Sequence, residues 1–497
     1  MKVLNFAAFL TPFLVSAALT YFFSISGWIL IFSYLVFLGM VVGVFTFLVY
    51  LKQYISFRRY KVPLISKYAE YRIAVVIPTY NEDPKLVKDT AISALIALKG
   101  RGDVFILDDS SIEEIKKEID SLQELGVKVF RRKTRRGYKA GAINDFLKTF
   151  GSNYDLLAIF DADQRPVSTF FDEILHYFFD KSVAVVQVPQ AYTEIETGVS
   201  IASYWQQQPF LRIVMRGREK SAFSLGSGSV FRIKVLEEIG GLCEDTVTED
   251  VATSVELHSR KWKSIYVDKP LLWYGEPPKD LRSYLIQQSR WSFGGFQLLP
   301  RLLKSKLEFS VFVDYIAGWM YWFKEGPLTV VELVAPVVFL LLEKPFIKMD
   351  ASLYLLAYMP FFLSSLAVFV VAAREFYGIK GFIYHQAIEL LSFPAITASF
   401  ISWLSKRKRP FAVTPKKVGK VPFKLFLPYI TILILLIASS VKGLFILLNL
   451  DHSQQKLATL VNVFWSIYFL PFLIFGIYIA TKRHDEVLRV EVLKKAF

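Results

Sequence analysis

Long apolar runs stand at both ends of the chain, and only short ones lie between them. Residues 5–23 and 27–51 form two nearly unbroken apolar stretches. Each is long enough to cross a bilayer as a helix, and the short gap between them predicts a helical hairpin. From residue 52 to about 308 no apolar run reaches that length. Strand-like runs at 73–77, 104–107, 127–130, 156–160 and 183–188 alternate there with helix-periodic stretches such as 84–98 and 111–125. Such alternation predicts a Rossmann-like α/β domain with a mostly parallel, doubly wound sheet. Long apolar runs resume at about 326–342, 353–372, 425–448 and 458–480, which makes six expected spans. The stretch 381–404 is apolar but carries His385, Gln386 and Glu389, and it predicts a helix lying in the membrane interface. Glu332 falls inside a span, so it is expected to face a protein interior or a watery path, or else to lie near the interface.

The pattern divides the chain into a transmembrane hairpin (1–51), an α/β domain (52–308), a helical transmembrane domain (309–481) and a tail (482–497). Composition agrees. With 54% hydrophobic residues and a mean hydropathy of +0.39, the chain is too apolar for an ordinary soluble protein. A net charge of +15 could signal nucleic acid. Here, however, the basic residues cluster beside apolar runs, as in Arg58-Arg59-Tyr60-Lys61, Lys406-Arg407-Lys408-Arg409 and Lys482-Arg483. They read as anchors on the cytoplasmic side of a lipid bilayer, with the α/β domain and both termini cytoplasmic, and no nucleic-acid partner is expected. Ser16-Ala17-Ala18 offers small residues for signal cleavage, but Lys2 alone makes a poor basic leader and a second span follows at once. One cysteine, Cys243, allows neither an intramolecular disulfide nor a cysteine zinc site.

The chemistry gathers where strands end. The fourth strand-like run stops at Asp161-Ala162-Asp163, and a buried strand that ends this way delivers both acids to the carboxyl edge of its sheet, where open α/β sheets bind ligands. Two carboxylates spaced i, i+2 can hold a hard divalent cation shared with substrate phosphates. The first strand runs on into Pro78-Thr79, and the second ends at Asp108-Asp109-Ser110; an acid at the end of an early strand can bind ribose hydroxyls or a base edge, and Asp109-Ser110 could equally cap the helix that begins near Glu113. Arg135-Arg136-Gly137-Tyr138-Lys139 opens a helix with positive charge and small residues, a setting that favours a diphosphate. Thr248 is a good N-cap for a helix opening with Glu249 and Asp250. On a further helix Gln287, Arg290 and Trp291 share one face. An arginine fork binds phosphate oxygens in pairs, and an indole offers a flat face to a sugar ring.

In this order, Asp-Asp, Asp-X-Asp, Thr-Glu-Asp and Gln-X-X-Arg-Trp resemble the family 2 inverting glycosyltransferases, in the membrane-integrated processive branch of cellulose, mannan and hyaluronan synthases. Phe411-Ala412-Val413-Thr414-Pro415-Lys416 resembles the Phe-X-Val-Thr-X-Lys gating loop of cellulose synthases, within 405–423. The Gln-Gln-X-Arg-Trp-Ser wording is closer to plant mannan synthases. The resemblance implies an α/β domain of GT-A type and a set of site residues. Asp250 would be the catalytic base. Thr79, Asp108, Asp109, Lys139, Asp161, Gln287 and Arg290 would bind the donor. Asp161 and Asp163 would hold Mg2+ or Mn2+, and Glu249, Gly226, Ser227 and Trp291 would meet the acceptor. Phe411, Val413, Thr414 and Lys416 would form the gating loop. The donor would be a nucleoside diphosphate sugar, a UDP-sugar before a GDP-sugar, and the growing glycan would leave through the spans.

Two departures stand out. Cellulose synthases commonly have Phe-Phe-Cys-Gly-Ser where this chain has Phe223-Ser224-Leu225-Gly226-Ser227, which opens the identity of the acceptor. The chain ends soon after its last apolar run, so the cyclic-dinucleotide-binding domain of bacterial cellulose synthases is not expected. Three functions stay open on the residues: a processive β-glycan synthase, an enzyme that adds one sugar to a lipid, and a non-catalytic sugar-nucleotide-binding channel or scaffold. The intact acid set argues against the last.

Overall fold

The computed structural model describes all residues except 1, 26, 28, 60–69, 194, 377, 408–418, 420, 450–452 and 482–497. Its α/β domain contributes β1 (Ile73–Thr79), β2 (Gly102–Asp108), β3 (Lys128–Phe130), β4 (Leu156–Ile159), β5 (Arg165–Pro166), β6 (Val183–Gln187), β7 (Ser229–Arg232), β8 (Lys263–Tyr266) and β9 (Leu272–Trp273). Seven of these form one sheet in the order β3-β2-β1-β4-β7-β6-β8, and β5 pairs with β9 apart from it.

The central strands are apolar throughout because helices cover both faces of the sheet. Ile73, Val75 and Ile77 pack with Val87, Ala91 and Ala94 of the helix Pro84–Leu98. Ala74 and Val76 pack on the other face with Ala140, Ile143 and Phe146 of the helix Tyr138–Phe150. The first of these helices begins where Asp83 accepts a hydrogen bond from the Lys85 amide (2.9 Å), with Pro84 at the first helical position. A side-chain cap and a proline at that position are each favourable there.

The sheet departs from the expected parallel plan at one strand. Pairs β1/β2, β2/β3, β1/β4 and β6/β8 are parallel, but β7 runs antiparallel between β4 and β6. This reversal has a consequence for function. Because β7 runs backward, the loop Phe223–Gly228 that leads into it lies at the carboxyl edge of β4 and β6, beside Asp161.

Among the described residues, five helices are by themselves long and apolar enough to cross a membrane: Lys2–Phe23, Ile29–Phe57, Ala351–Val371, Leu427–Asn449 and Gln455–Thr481. The stretch 381–404, expected as one interfacial helix, is a pair, Gly378–Leu390 and Phe393–Leu404, bent by 41° at the break; counted as one span it makes six. The expected span at 326–342 is the end of a longer helical run: Phe309–Phe323 continues through the π-helical turn Lys324–Leu328 into Thr329–Leu340, and Ile347 beyond it pairs with Ser24 at the turn of the N-terminal hairpin. Pro327 inside that turn removes a backbone donor and accounts for the local widening.

A cavity of about 410 Å³ lies within the helical domain, its wall including Lys324, Glu332, Tyr354, Tyr358, Asn462 and Trp465. Lys324 Nζ donates to Glu332 Oε2 at 2.6 Å. Glu332 therefore faces the protein interior, one of the two expected places.

Candidate active site

Three strand ends meet at one edge of the sheet. Thr79 closes β1 beside Asp108 at the end of β2. The Thr79 hydroxyl is buried and has no hydrogen-bond partner among the described residues. Asp108 is enclosed: Arg131 Nε donates to its Oδ2 (2.7 Å) and the Ser110 amide to its Oδ1 (3.0 Å). Asp109 takes the fork of Arg132, with Nε to Oδ1 at 2.8 Å and Nη2 to Oδ2 at 2.6 Å. Asp109-Ser110 does not cap the next helix. That helix begins after Ile112 without a side-chain cap of its own, and Asn81 reaches across from β1 to accept from the Ser111 amide (2.8 Å) and the Ile112 amide (3.3 Å). Arg131, Arg132 and Asn81 were not singled out in the sequence. Arg135 is stacked on the Tyr80 ring at the same edge, 3.3 Å from its centroid.

Lys139 stands in the first turn of Tyr138–Phe150, after Gly137 at φ +64°. Its Nζ donates to Asp161 and to the Gly226 carbonyl (2.8 Å), joining the Asp-X-Asp turn to the loop before β7. The Asp161 amide donates to Ser227 Oγ (2.9 Å), and Thr90 Oγ1 holds the Ala162 carbonyl (2.6 Å). Glu244, another residue the sequence left unremarked, lies against Gly137 and pairs with Arg136.

Asp250 completes the group. Gly226 has φ +82°, and a Cβ there would sit 3.2 Å from Asp250 Oδ2 and 3.5 Å from Lys139 Nζ. Thus Asp161, Lys139, Gly226 and Asp250 converge from four separate segments. Burial, and then the neighbouring Glu249 charge, push the Asp250 carboxyl up to about 7. Glu249 is itself raised by burial, against the pull of Lys139 and Arg290. Burial opposes the Lys139 charge, but Asp161, Glu249 and Asp250 outweigh it and hold the ammonium above its ordinary range.

Thr248 stands at the N-cap position, yet its side chain makes no capping bond. The reason is packing. The helix Leu281–Gln297 crosses there through Gly294, where a Cβ would lie 2.4 Å from Thr248 Oγ1 and Cγ2. Gln297 Oε1 accepts from the Val247 amide (3.2 Å) beside it. This crossing brings Arg290 within electrostatic reach of Glu249, with Gln287 and Trp291 on the same helix. Gln287 is buried, and its Nε2 stands 3.5 Å from Tyr192 Oη, which also accepts from Gln207 (2.8 Å). Arg290 and Trp291 are half-buried, and Asp163 and Arg290 both act electrostatically on Tyr192. Gly294→Ala should force this crossing apart, with a loss of about 1–3 kcal/mol from overpacking, read as a lower melting temperature.

The expected gating-loop residues Phe411, Val413, Thr414 and Lys416 lie outside the described residues. Just beyond them, the Gly419 amide donates to Asp280 Oδ2 (2.9 Å), and Asp280 caps the helix Leu281–Gln297.

Asp161 and Asp163 offer two carboxylates beyond the end of β4. Gln164, next in sequence, is buried with its Oε1 lacking a partner among the described residues. No three His, Cys, Asp or Glu side chains among the described residues gather as a protein-only metal site. Two carboxylates completed by substrate phosphates is a donor set that Mg2+ accepts, so the residues fit an ion that arrives with a diphosphate.

Residues 71–294 match the family model described as Glycosyltransferase like family 2, and residues 237–380 match that described as Cellulose synthase. The cellulose synthase catalytic subunit (UDP-forming) of Pseudomonas fluorescens (strain SBW25) is 26% identical over 414 residues, covering 80% of this chain and 54% of that protein. The corresponding cellulose synthase 1 subunit of Komagataeibacter xylinus is 26% identical over 465 residues, covering 89% of this chain and 60% of that protein. The chain thus spans little more than half the length of these relatives. Among solved structures, the mannosyltransferase PcManGT from Pyrobaculum calidifontis, in complex with GDP-Man and Mn2+, shares the fold at a TM-score of 0.55 and 15% identity, covering 75% of this chain and 100% of that one. The α/β domain is accordingly of GT-A type.

Proposed function

We propose that this family 2 glycosyltransferase, joined to a helical membrane domain, elongates a β-linked polysaccharide from a nucleoside diphosphate sugar. The observation that carries the reading is the convergence of Asp250, with its carboxyl raised to about 7, on Gly226, Lys139 and Asp161. A base poised near the operating pH is what proton removal from a sugar hydroxyl needs.

In this reading Thr79 and Asp109 hold the nucleoside, with Asp108 behind them. Asp161 and Asp163 hold Mg2+ or Mn2+, which supplies positive charge against the diphosphate when bound. Gly226, Ser227 and Glu249 border the acceptor, and Trp291 stacks on its sugar. Asp250 takes the acceptor hydroxyl proton as that oxygen attacks the anomeric carbon. The new glycosidic bond forms as the bond to the diphosphate breaks, and the electron pair leaves with the nucleotide. Lys139 and Arg290, with Gln287 beside them, neutralise the departing charge. A single in-line displacement inverts configuration, so an α-linked donor gives a β-linked product. Residues 52–308 and both termini face the cytoplasm, and 405–423 gate the site. The UDP-forming relatives favour a UDP-sugar. The cavity beside Glu332, walled by tyrosines, Trp465 and Asn462, supports passage of the glycan through 309–481.

The pH dependence follows from the same charges. Asp250 acts as a base only when deprotonated, so activity should fall as pH drops below about 7. Glu249→Gln removes a neighbouring negative charge that raises Asp250, and the acid limb of the pH–rate profile should move to lower pH. Passage through the helical domain is tested in sealed inverted vesicles with labelled donor outside. Polymer that resists added glycosidase until detergent opens the vesicles supports the reading. Polymer degraded without detergent, or label on single lipid molecules, contradicts it.

A further inference from the structure

A buried polar cluster between the two domains takes no part in the chemistry above. Asp314, on the helix Phe309–Phe323, is only 4% exposed. Lys52 Nζ donates to both of its oxygens (3.0 Å each), Gln53 Nε2 to Oδ1 (3.1 Å) and Ser221 Oγ to Oδ2 (2.7 Å). Its backbone carbonyl accepts from Arg218 Nη2 (2.8 Å). Arg218 is itself buried, with Nε and Nη1 lacking partners among the described residues, and its guanidinium lies over Phe223, 5.1 Å from the ring centroid. One carboxylate therefore ties the hairpin helix to the segment 218–221. Contact there is close: a Cβ on Gly217 would lie 2.1 Å from the Gln53 carbonyl oxygen.

That segment runs straight into Phe223–Gly228, which carries Gly226 and Ser227. The far side of this loop is fastened to the Asp250 helix, since the Ser224 amide donates to Ser254 Oγ (3.0 Å). The same helix is also fixed to the residue after Asp314. Tyr315 Oη is 2.8 Å from His258 Nδ1, and His258 Nε2 is 2.6 Å from Ser264 Oγ. The loop is thus held between Asp314 and the base-bearing helix. A buried ion pair is weak support for stability, because well-packed apolar side chains of the same size often serve as well or better. What a carboxylate held by three donor groups supplies is direction.

We propose that Asp314 is a positioning residue. It sets the loop Phe223–Gly228 against Asp250, so that an acceptor sugar rather than water meets the base. This rests on the reading of Gly226 and Ser227 as acceptor contacts. Asp314→Asn keeps the shape and removes the charge that holds Lys52 and Ser221. Misplacement of about 1 Å at a reacting centre costs up to about 10²-fold, so transfer to acceptor should fall about 10- to 100-fold. Nucleotide affinity and slow donor hydrolysis should stay within about twofold, raising the ratio of hydrolysis to transfer.

The experiment uses the full chain in lipid discs and compares wild type, Asp314→Asn and the smaller change Ser221→Ala. It reads polymer formation, nucleotide release without acceptor, UDP binding and amide hydrogen exchange. Uncoupling in both variants, with faster exchange confined to 223–228, is expected. Parallel loss of transfer and hydrolysis, or unchanged exchange at 223–228, would overturn the proposal. If wild type turns over no donor, the glycosyltransferase reading fails by itself. The exchange comparison still decides the structural claim: faster exchange at 223–228 with 73–108 unchanged supports it, and equal change in both contradicts it.

Discussion

Asp250→Asn is expected to lower kcat by about 10²–10⁴-fold, the range a positioned general base contributes, while leaving donor affinity nearly intact. The amide keeps the shape of the carboxylate and its contact with the Val251 amide (2.8 Å) but cannot accept the hydroxyl proton. Stability should change in the opposite sense. Burial holds the native carboxyl protonated up to about pH 7, whereas the unfolded chain releases that proton in the ordinary carboxylate range. The native state binds more protons across that window, so its stability falls as pH rises through it. Asp250→Asn removes the titration and should melt higher than wild type at pH 8, in a thermal scan of discs with no donor present. A variant that loses activity and stability together would point to misfolding rather than to a lost base.

Lys139→Met should be nearly as damaging, with kcat lower by about 10²–10³-fold if it acts as one donor to developing charge. The lysine bridges Asp161 and the Gly226 carbonyl, so its loss also leaves the Asp161 carboxylate without that partner. Its charge lowers the Asp250 pKa, and the acid limb of any residual activity should move to higher pH. Glu249→Gln should move the same limb the other way. Opposite displacements by two neighbours, measured on pH–rate profiles of both variants, would identify Asp250 as the titrating base.

Much of this site was legible because its acids end strands whose apolar runs are plain. The run ending at Asp161 is buried on both faces, and nothing polar interrupts it before the sheet edge. The helix-periodic stretch 84–98 coincides with the helix Pro84–Leu98. The strand β7 was not. It has four residues, two of them Ser229 and Arg232, and its reversed direction is a property of pairing with β4 and β6 rather than of local pattern. The partners of Asp108 and Asp109 were hidden for a similar reason, since Arg131 and Arg132 lie 23 positions away and meet them only once β3 is laid beside β2. Thr248 misled because capping is a local preference, and Gly294, 46 positions on, lets another helix take the space its hydroxyl would need. The helical run that holds the expected span at 326–342 begins at Phe309, because Lys324-Glu325 and Gly326-Pro327 interrupt the apolar pattern without ending the helix.

The most direct measurement is turnover by purified protein in lipid discs, with a panel of radiolabelled UDP- and GDP-sugars, Mg2+ or Mn2+, and Asp250→Asn as control. The product is separated by size and its linkage configuration read by NMR. The mechanism predicts a high-mass, β-linked polymer from one donor, lost in Asp250→Asn. Retained polymer synthesis in that variant, an α-linked product, or no turnover of any donor would contradict it.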